Sequence, residues 1–297
     1  MFHLTGIILA GGKSSRFGLN KLKIKADSVP LFIDQIFKLS FFCDEIIIST
    51  SKSNYPIVFS ELNKIRIYQK KYNFEKMQTS NLKIDFKDFL KRVTKPLNIK
   101  IILDESSCSS SVIKSFLNIT NPGEFKSDYD RIGPIIGIYS SLINAVYFYS
   151  IIVAFDMPFI SYNLLKYLIY ESGVNIEKIS TDKSVTISNY SRKKDAYIIK
   201  SEKGFEALCG LYSKGCINIL KENIKKQKYK ISDIFTYLDI EIISSKKLES
   251  FKIDNLNFFN INLVPDYHKF KNIWRNKKIA LGTKNSFTEA WDDFFFR

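Results

Sequence analysis

A glycine-rich stretch with clustered cations lies near the start of the chain. It runs Gly6-Ile-Ile-Leu-Ala-Gly-Gly-Lys-Ser-Ser-Arg-Phe-Gly18, and Lys21 follows it closely. The apolar run Leu4–Ala10 is short and rich in isoleucine, which predicts a buried strand that ends at the glycine pair. Adjacent glycines let a ligand approach the backbone, and Arg16 and Lys21 add positive charge. A strand end, a bare loop and fixed cations predict a site for the phosphates of a nucleoside triphosphate.

Two better-known glycine loops do not fit this stretch. A P-loop needs four loop residues between its first glycine and its Gly-Lys-[Ser/Thr] end. Here Ile7–Ala10 occupy those four places as predicted strand, and the additional Gly12 precedes Lys13. The dinucleotide pattern G-x-G-x-x-G fails on spacing, because the glycines stand at 11, 12 and 18. An ordinary glycine-rich turn between a strand and a helix is the remaining alternative, and the nearby cations weigh against it.

A lone carboxylate ends a second apolar run. The sequence Ser150-Ile-Ile-Val-Ala-Phe-Asp156-Met-Pro158 predicts a central strand buried on both faces, with Asp156 at its end. Pro158 keeps Met157 extended and stops the strand. A charged carboxylate at this place is costly unless it meets a cation, and Mg²⁺ prefers carboxylate and phosphate oxygens together. Asp156 is therefore predicted to hold Mg²⁺. The alternative is that Asp156 caps the next helix, but Ser161 is a better candidate for that cap.

The intervening elements predict how these residues come together. Pro30–Phe41 has the apolar face of a helix, and Asp44–Ser49 has the pattern of a second strand. Strand, helix and strand form a right-handed βαβ unit with parallel strands, whose carboxyl ends share one edge of the sheet. Ser49 is thus expected beside the glycine loop. A third strand is predicted over Asn98–Glu105, and Gly133-Pro134 is predicted to open another helix. The chain is predicted to be α/β with a mostly parallel sheet.

Composition narrows the classes of function. The 297 residues carry a formal net charge of +15, but the lysines are scattered, which favours a solvated basic surface over a nucleic-acid interface. The cysteines at 43, 108, 209 and 216 have no CxxC spacing, and only two histidines are present. A zinc site, a disulfide framework and histidine catalysis are therefore not expected.

Targeting signals are also not expected. Met1–Ala10 lacks the basic region and the long apolar region of a signal peptide, and the longest apolar run, Ala145–Phe155, is too short to span a bilayer. The sequence predicts a cytoplasmic protein without a membrane partner.

Several motifs in order resemble those of the molybdenum cofactor guanylyltransferases, within the nucleotidyltransferase superfamily. They are Leu9-Ala-Gly-Gly-Lys-Ser-Ser-Arg-Phe-Gly18 with Lys21, Gly133-Pro-Ile-Ile-Gly137, Asp156-Met-Pro158 and Asn260-Ile-Asn262. The resemblance implies a three-layer Rossmann-like fold and transfer of GMP from GTP to the phosphate of molybdopterin, with Mg²⁺ as cofactor. The double glycine favours guanine, because cytidylyl relatives usually have Ala-Gly there.

The resemblance also implies roles for residues of this chain. Arg16, Lys21 and Asp156 match the catalytic positions, and Asp156 the metal position. Asn260 and Asn262, predicted to end a strand and share one face, match the pterin contacts; a pair of turn asparagines is the alternative. The implied nucleotide contacts are Leu9, Ala10, Gly11, Gly12, Lys21, Ser49, Asp104, Gly133 and Gly137. Asp130 is a rival to Asp104, and a solvated acid at a strand end is an alternative for either.

Parts of the chain depart from the family pattern. Ser49 stands where asparagine is usual, and Glu206, Ala207 and Gly210 differ from a strand that the family spells roughly Gln-Pro-Leu-x-Ala-Leu-Tyr. A nucleotidyltransferase for a sugar phosphate or another small phosphate is therefore one alternative function. A non-catalytic basic protein that binds nucleotides or nucleic acid is another.

The resemblance divides the chain in outline. Residues 1–270 are predicted to form the nucleotidyltransferase domain, with insertions near 55–95 and 106–130, and residues 271–297 a C-terminal extension. These additions leave open a homo-oligomer or a contact with a molybdoenzyme chaperone.

Overall fold

The computed structural model describes residues 3–11, 17, 20–71, 97–104, 133–174 and 193–280. The strands in these ranges are β1 Leu4–Ala10, β2 Lys25–Ala26, β3 Val29–Pro30, β4 Glu45–Thr50, β5 Ile99–Leu103, β6 Tyr149–Ala154, β7 Ala196–Ser201, β8 Gly204–Ser213 and β9 Ile240–Ser244. Seven of them form one sheet in the order β5-β4-β1-β6-β8-β7-β9, while β2 and β3 pair as a separate hairpin.

The central sheet is mostly parallel. β1 pairs in parallel with β4 and β6, β4 with β5, and β7 with β9, whereas β8 runs antiparallel to β6 and β7. Every residue of β1, β4 and β6 is buried, which explains their nearly continuous apolar sequences. The predicted α/β class with a mostly parallel sheet is confirmed.

Helices cover both faces of the sheet. They are α1 Leu31–Ser40, α2 Tyr55–Leu62, α3 Ile65–Lys71, α4 Ile135–Asn144, α5 Tyr162–Glu171, α6 Cys216–Lys225, α7 Ser245–Ser250 and α8 Val264–Ala280. One core contains side chains of α1, α5 and α7, and a second contains side chains of α4 and α6, so the fold has three layers. In the part of the chain that the structure describes, no helix is long and apolar enough to cross a membrane.

The predicted additions coincide only partly with these elements. α2 and α3 lie within the proposed insertion near 55–95, while the other proposed insertion lies outside the described residues. α8 continues past Phe270 to Ala280, so the boundary drawn at 270 falls inside a helix. The division into a domain and an extension stays a prediction.

A third apolar cluster joins the glycine stretch to the C-terminal helix. It includes Phe17, Phe159, Phe270 and Ile261, all buried. The ring of Phe17 meets that of Tyr267 edge-on, with centroids 6.0 Å apart. α8 therefore packs against a residue of the glycine-rich stretch.

A buried carboxylate links neighbouring strands at the edge of the sheet where β1, β4 and β5 begin. Glu45, 1% exposed, accepts hydrogen bonds from Thr5 Oγ1 at 2.7 Å and from the Val146 amide at 2.8 Å. Lys100 Nζ lies 2.5 Å from its other oxygen. Burial alone would raise the pKa of Glu45, but these donors outweigh it and hold the pKa below its ordinary value.

We expect this carboxylate to make the fold sensitive to acid. A carboxylate whose pKa is lowered by folding stabilises the folded state above its unfolded pKa, about 4.3 for glutamate, and loses that contribution as the pH falls below it. Glu45→Gln should lower the free energy of unfolding at neutral pH by about 1–3 kcal/mol. The difference from wild type should shrink on acidification, as urea denaturation between about pH 7 and pH 3 would show.

Glu249→Gln is the matched control, because Glu249 is exposed. A difference between wild type and Glu45→Gln that stays constant over the acidic range would contradict this account of the network.

Candidate functional site

The ends of β1, β4 and β5 bring three predicted nucleotide contacts to one edge of the sheet. Gly11 follows β1, Ser49 lies in β4, and Asp104 follows β5. Asp104 is 5% exposed, and its amide donates to the Thr50 carbonyl at 2.8 Å. A Cβ added at Gly11 would lie 2.0 Å from Asp104 Oδ2. The Asp104 carboxyl group therefore lies beside Gly11, and its contact with the nucleotide stays a prediction.

The start of α4 lies against the same edge. A Cβ at Gly137 would lie 2.9 Å from Ser49 Oγ and 3.3 Å from Leu9 Cδ2, so the glycine lets the helix approach both strands. Ser49 Oγ is buried and has no hydrogen-bond partner within the described ranges. Gly133, two residues before the helix, is exposed. The structure thus brings Leu9, Ser49 and Gly137 together, while Gly133 lies exposed before the helix.

Lys21 is positioned by a short 3-10 turn over Lys21–Lys23. Asn20 caps this turn, since its side-chain oxygen accepts from the Leu22 amide at 3.0 Å. The Lys21 side chain is 12% exposed. Its Nζ donates to Asp156 Oδ2 at 3.2 Å and to Asn262 Oδ1 at 3.1 Å. Three residues predicted separately from distant motifs therefore meet at one point.

Asp156 follows β6, as the apolar run before it predicted. Its side chain is 17% exposed, and burial raises the pKa of the carboxyl above its ordinary value, although the nearby Lys21 opposes that shift. One ammonium group thus compensates only part of the desolvation of this carboxylate. The site favours further positive charge next to Asp156.

The predicted strand that ends at Asn260 and Asn262 is wrong. Asn255–Phe258 form a 3-10 turn, capped by the Asp254 carboxylate, and the following residues are irregular up to α8. The Ile261 amide donates to the Asp156 carbonyl at 3.0 Å rather than to a neighbouring strand. Asn262 nevertheless reaches Lys21, while Asn260 is half-buried nearby in the chain.

The residues at this edge fit a magnesium ion. Mg²⁺ commonly binds through one or two carboxylates together with substrate phosphates and water. Asp156 supplies a partly desolvated carboxylate beside a loop suited to phosphates. No group of three or more acidic, histidine or cysteine side chains that could hold a metal occurs in the described ranges. Asp156 is thus a suitable ligand for an ion that arrives with phosphates.

Asn54 is a site residue that the sequence analysis missed. It stands at the start of α2 but does not cap that helix with its side chain. Instead, its Nδ2 donates to the Ala10 carbonyl at 3.1 Å and its Oδ1 accepts from Asn20 Nδ2 at 3.0 Å. Asn54 therefore ties the residue before the glycine pair to the residue before Lys21. Its position two residues before Pro56, at a helix start, was the available signal.

Some predicted residues lie outside the described residues. They are Gly12, Arg16 and Asp130. Their roles stay predictions, including the choice between Asp104 and Asp130.

We expect Gly11→Ala to damage both the fold and nucleotide binding. The new Cβ would lie 2.0 Å from Asp104 Oδ2, so the buried carboxyl would have to shift. Such overpacking costs about 1–3 kcal/mol of stability. Thermal unfolding and calorimetric titration with GTP would show a lower Tm and weaker binding.

The double variant Gly11→Ala/Asp104→Ala separates the two effects. Removing the carboxyl should restore the Tm but not the affinity for GTP. Wild-type stability and affinity in Gly11→Ala would contradict the observed packing.

The fold has a counterpart among solved structures. The chain matches molybdopterin-guanine dinucleotide biosynthesis protein A from Archaeoglobus fulgidus with a TM-score of 0.55 at 17% identity, over 92% of this chain and 99% of that one. At this identity the likeness concerns the fold alone. The chain therefore shares the fold of that protein.

Sequence relatives define the family. Residues 6–79 match the MobA-like NTP transferase domain. A probable molybdenum cofactor guanylyltransferase from Clostridium perfringens is 30% identical over 163 residues, which cover 50% of this chain and 70% of that relative. One from Pelotomaculum thermopropionicum is 26% identical over 146 residues, which are 49% of this chain but only 62% of that relative. The chain belongs to the MobA-like NTP transferase family.

Proposed function

We propose that this protein is a Mg²⁺-dependent guanylyltransferase that moves GMP from GTP to the phosphate of molybdopterin and releases pyrophosphate. The observation that carries the proposal is the meeting of Lys21, Asp156 and Asn262 beside the end of β1. Family membership supports the reaction class, and the names of the relatives support this base and acceptor.

The proposed reaction is an in-line displacement at phosphorus. An oxygen of the molybdopterin phosphate forms a bond to the α-phosphorus of GTP. The bond from that phosphorus to the oxygen shared with the β-phosphate breaks, and pyrophosphate leaves with the electron pair. The chain needs to supply no nucleophile; it needs to orient both substrates and stabilise negative charge.

Lys21 is proposed to stabilise this charge. Its ammonium group is held by Asp156 and Asn262, so it is oriented before the substrate binds. Preorganised positive charge stabilises a transition state without a reorganisation cost during the reaction. Arg16, from the same glycine stretch, is proposed to act with it on the leaving pyrophosphate.

Asp156 is proposed to hold the magnesium ion. When bound, Mg²⁺ would neutralise charge on the phosphates. The backbone around Gly11, together with Gly12, Ser49, Asp104, Gly133 and Gly137, is proposed to hold the nucleotide, and Asn260 and Asn262 the pterin.

A different small phosphate as acceptor is the second candidate. Glu206 stands in the strand where the family pattern differs, and Ser201 Oγ donates to its carboxylate at 2.6 Å. This departure from the family pattern is the reason to test sugar phosphates beside molybdopterin.

Pyrophosphate release is the experiment that tests the proposal. The protein is incubated with Mg²⁺ and each common nucleoside triphosphate, with molybdopterin, with sugar phosphates or without an acceptor. We expect release only with GTP and molybdopterin, and loss of release when EDTA removes the metal.

The other outcomes separate the alternatives. Release with another triphosphate or acceptor would reassign the substrates. No release with any pair, together with RNA or DNA binding that falls steeply with salt, would indicate a non-catalytic binding protein instead.

A further inference from the structure

The turn after β6 is held by hydrogen bonds to three consecutive carbonyl groups. The Asp156 carbonyl accepts from the Ile261 amide at 3.0 Å, and the Met157 carbonyl accepts from Gln35 Nε2 at 2.6 Å. The Pro158 carbonyl accepts from Lys38 Nζ at 3.3 Å. Two of the three donors are side chains of α1, which lies more than a hundred residues earlier in the chain.

Both side chains are unusual for the positions they occupy. Gln35 is 0% exposed within α1, among neighbours such as Ile36 that belong to the apolar core. Its Oε1 is buried with no partner in the described part of the chain. Lys38 is 8% exposed and pairs with Asp34 Oδ2 at 2.6 Å. An amide with an unsatisfied oxygen and a largely buried ion pair are poor sources of stability, and apolar residues of similar size often serve as well.

These donors bond to a segment whose carbonyl groups are not paired within a strand or helix. Residues 155–160 belong to neither a strand nor a helix, and Pro158 has no amide hydrogen to donate. Buried carbonyls in irregular backbone need donors from elsewhere. The orientation of the peptide after Asp156 helps to set the direction of the Asp156 side chain, which here meets Lys21.

We propose that Gln35 and Lys38 are positioning residues that aim the Asp156 carboxylate at the metal and at Lys21. This inference rests on the proposed function, since it assigns them to the transfer step. They contact no reacting atom; they hold the backbone that carries the carboxylate. Because a misplacement of about 1 Å can cost up to a hundredfold in rate, loosening this turn should slow the chemistry more than it weakens binding.

Gln35→Met tests the proposal, because methionine has a similar size but no donor. We expect kcat for pyrophosphate release to fall about tenfold or more, with KM for GTP within about twofold of wild type. Electron paramagnetic resonance titration of Mn²⁺ in the presence of GTP should show weaker metal binding. Hydrogen exchange of the Met157 and Phe159 amides, measured without metal, should become faster.

Leu39→Val is the matched control for a merely structural effect. Leu39 is also buried in α1 but packs against β1 near Gly6. Leu39→Val should lower the Tm. It should leave kcat, the Mn²⁺ affinity and the hydrogen exchange of the Met157 and Phe159 amides at their wild-type values. If Gln35→Met behaves like Leu39→Val in these measurements, the proposal is wrong.

A second variant covers the case in which Gln35→Met fails to fold. Asp34→Asn/Lys38→Met removes the donor to Pro158 together with its charged partner, so that no lone charge stays buried. It should reduce kcat and Mn²⁺ affinity in the same direction, and wild-type values for both would overturn the role of Lys38.

The metal titration also separates this inference from the proposed function. If wild type releases no pyrophosphate with any pair, the proposed function fails. Weaker Mn²⁺ binding in Gln35→Met would then still support the positioning role, and unchanged binding would overturn it.

Discussion

Asp156→Asn is expected to lower kcat for pyrophosphate release on the order of a thousandfold. The amide cannot supply the negative charge proposed to hold Mg²⁺, and loss of metal assistance would remove several kcal/mol of transition-state stabilisation, ~4 kcal/mol for this change in rate. The fold should persist, because the amide oxygen can still accept from Lys21. Steady-state kinetics and thermal unfolding, measured on the same preparation, check both parts.

Asp233→Asn is the matched control for this substitution. Asp233 is exposed and lies in the 3-10 turn Ile231–Tyr237, which is separate from β6. It should leave kcat and Tm unchanged. Activity of Asp156→Asn close to that of wild type would exclude Asp156 as the metal ligand.

Lys21→Met is expected to lower kcat on the order of a hundredfold, since it removes a preorganised cation from the proposed reaction site. It should also change the pH dependence. Because Lys21 lowers the pKa of the Asp156 carboxyl, its removal should raise that pKa further, so the acidic limb of the kcat profile should move to higher pH. A pH–rate series with saturating GTP and Mg²⁺ measures both effects.

Lys23→Met controls for the loss of a lysine in the same turn. Lys23 is exposed and lies two residues beyond Lys21. It should reproduce the wild-type profile. An unchanged acidic limb in Lys21→Met would show that Lys21 does not act on the Asp156 carboxyl.

Elements with strong local signals could be predicted from the sequence. β1 and β6 are buried on both faces, so their sequences are apolar runs, and the glycines and Asp156 that end them stand out. The crossover through α1 then places Gly11 and Ser49 at one edge, and the parallel pairing of β5 with β4 adds Asp104. The family resemblance linked Lys21 to Asp156 and Asn262 although more than a hundred residues separate them from it.

Contacts without a local signal could not be predicted. The family resemblance implied a strand that ends at Asn260 and Asn262. In the structure the Ile261 amide bonds to the Asp156 carbonyl, and Asn257 Oδ1 accepts from the Ser161 amide. Gln35 and Lys38 resemble the polar residues of any amphipathic helix, so only the packed structure shows that they are buried. The position of Asn54 predicts a helix cap, but its side chain instead bonds to Ala10 and Asn20.

The position of Glu45 separates two electrostatic environments within one sheet. β4 extends from Glu45 to Thr50, roughly 17 Å at the usual rise per residue. At the same dielectric constant, the Coulomb energy of two charges at this distance is about a quarter of that in an ion pair at ~4 Å. Protonation of Glu45 should therefore affect the edge that carries Gly11 and Asp104 much less than it affects Thr5 and Lys100. Evolution or design can adjust acid tolerance through Thr5, Glu45 and Lys100 while the charges of the candidate site stay as they are.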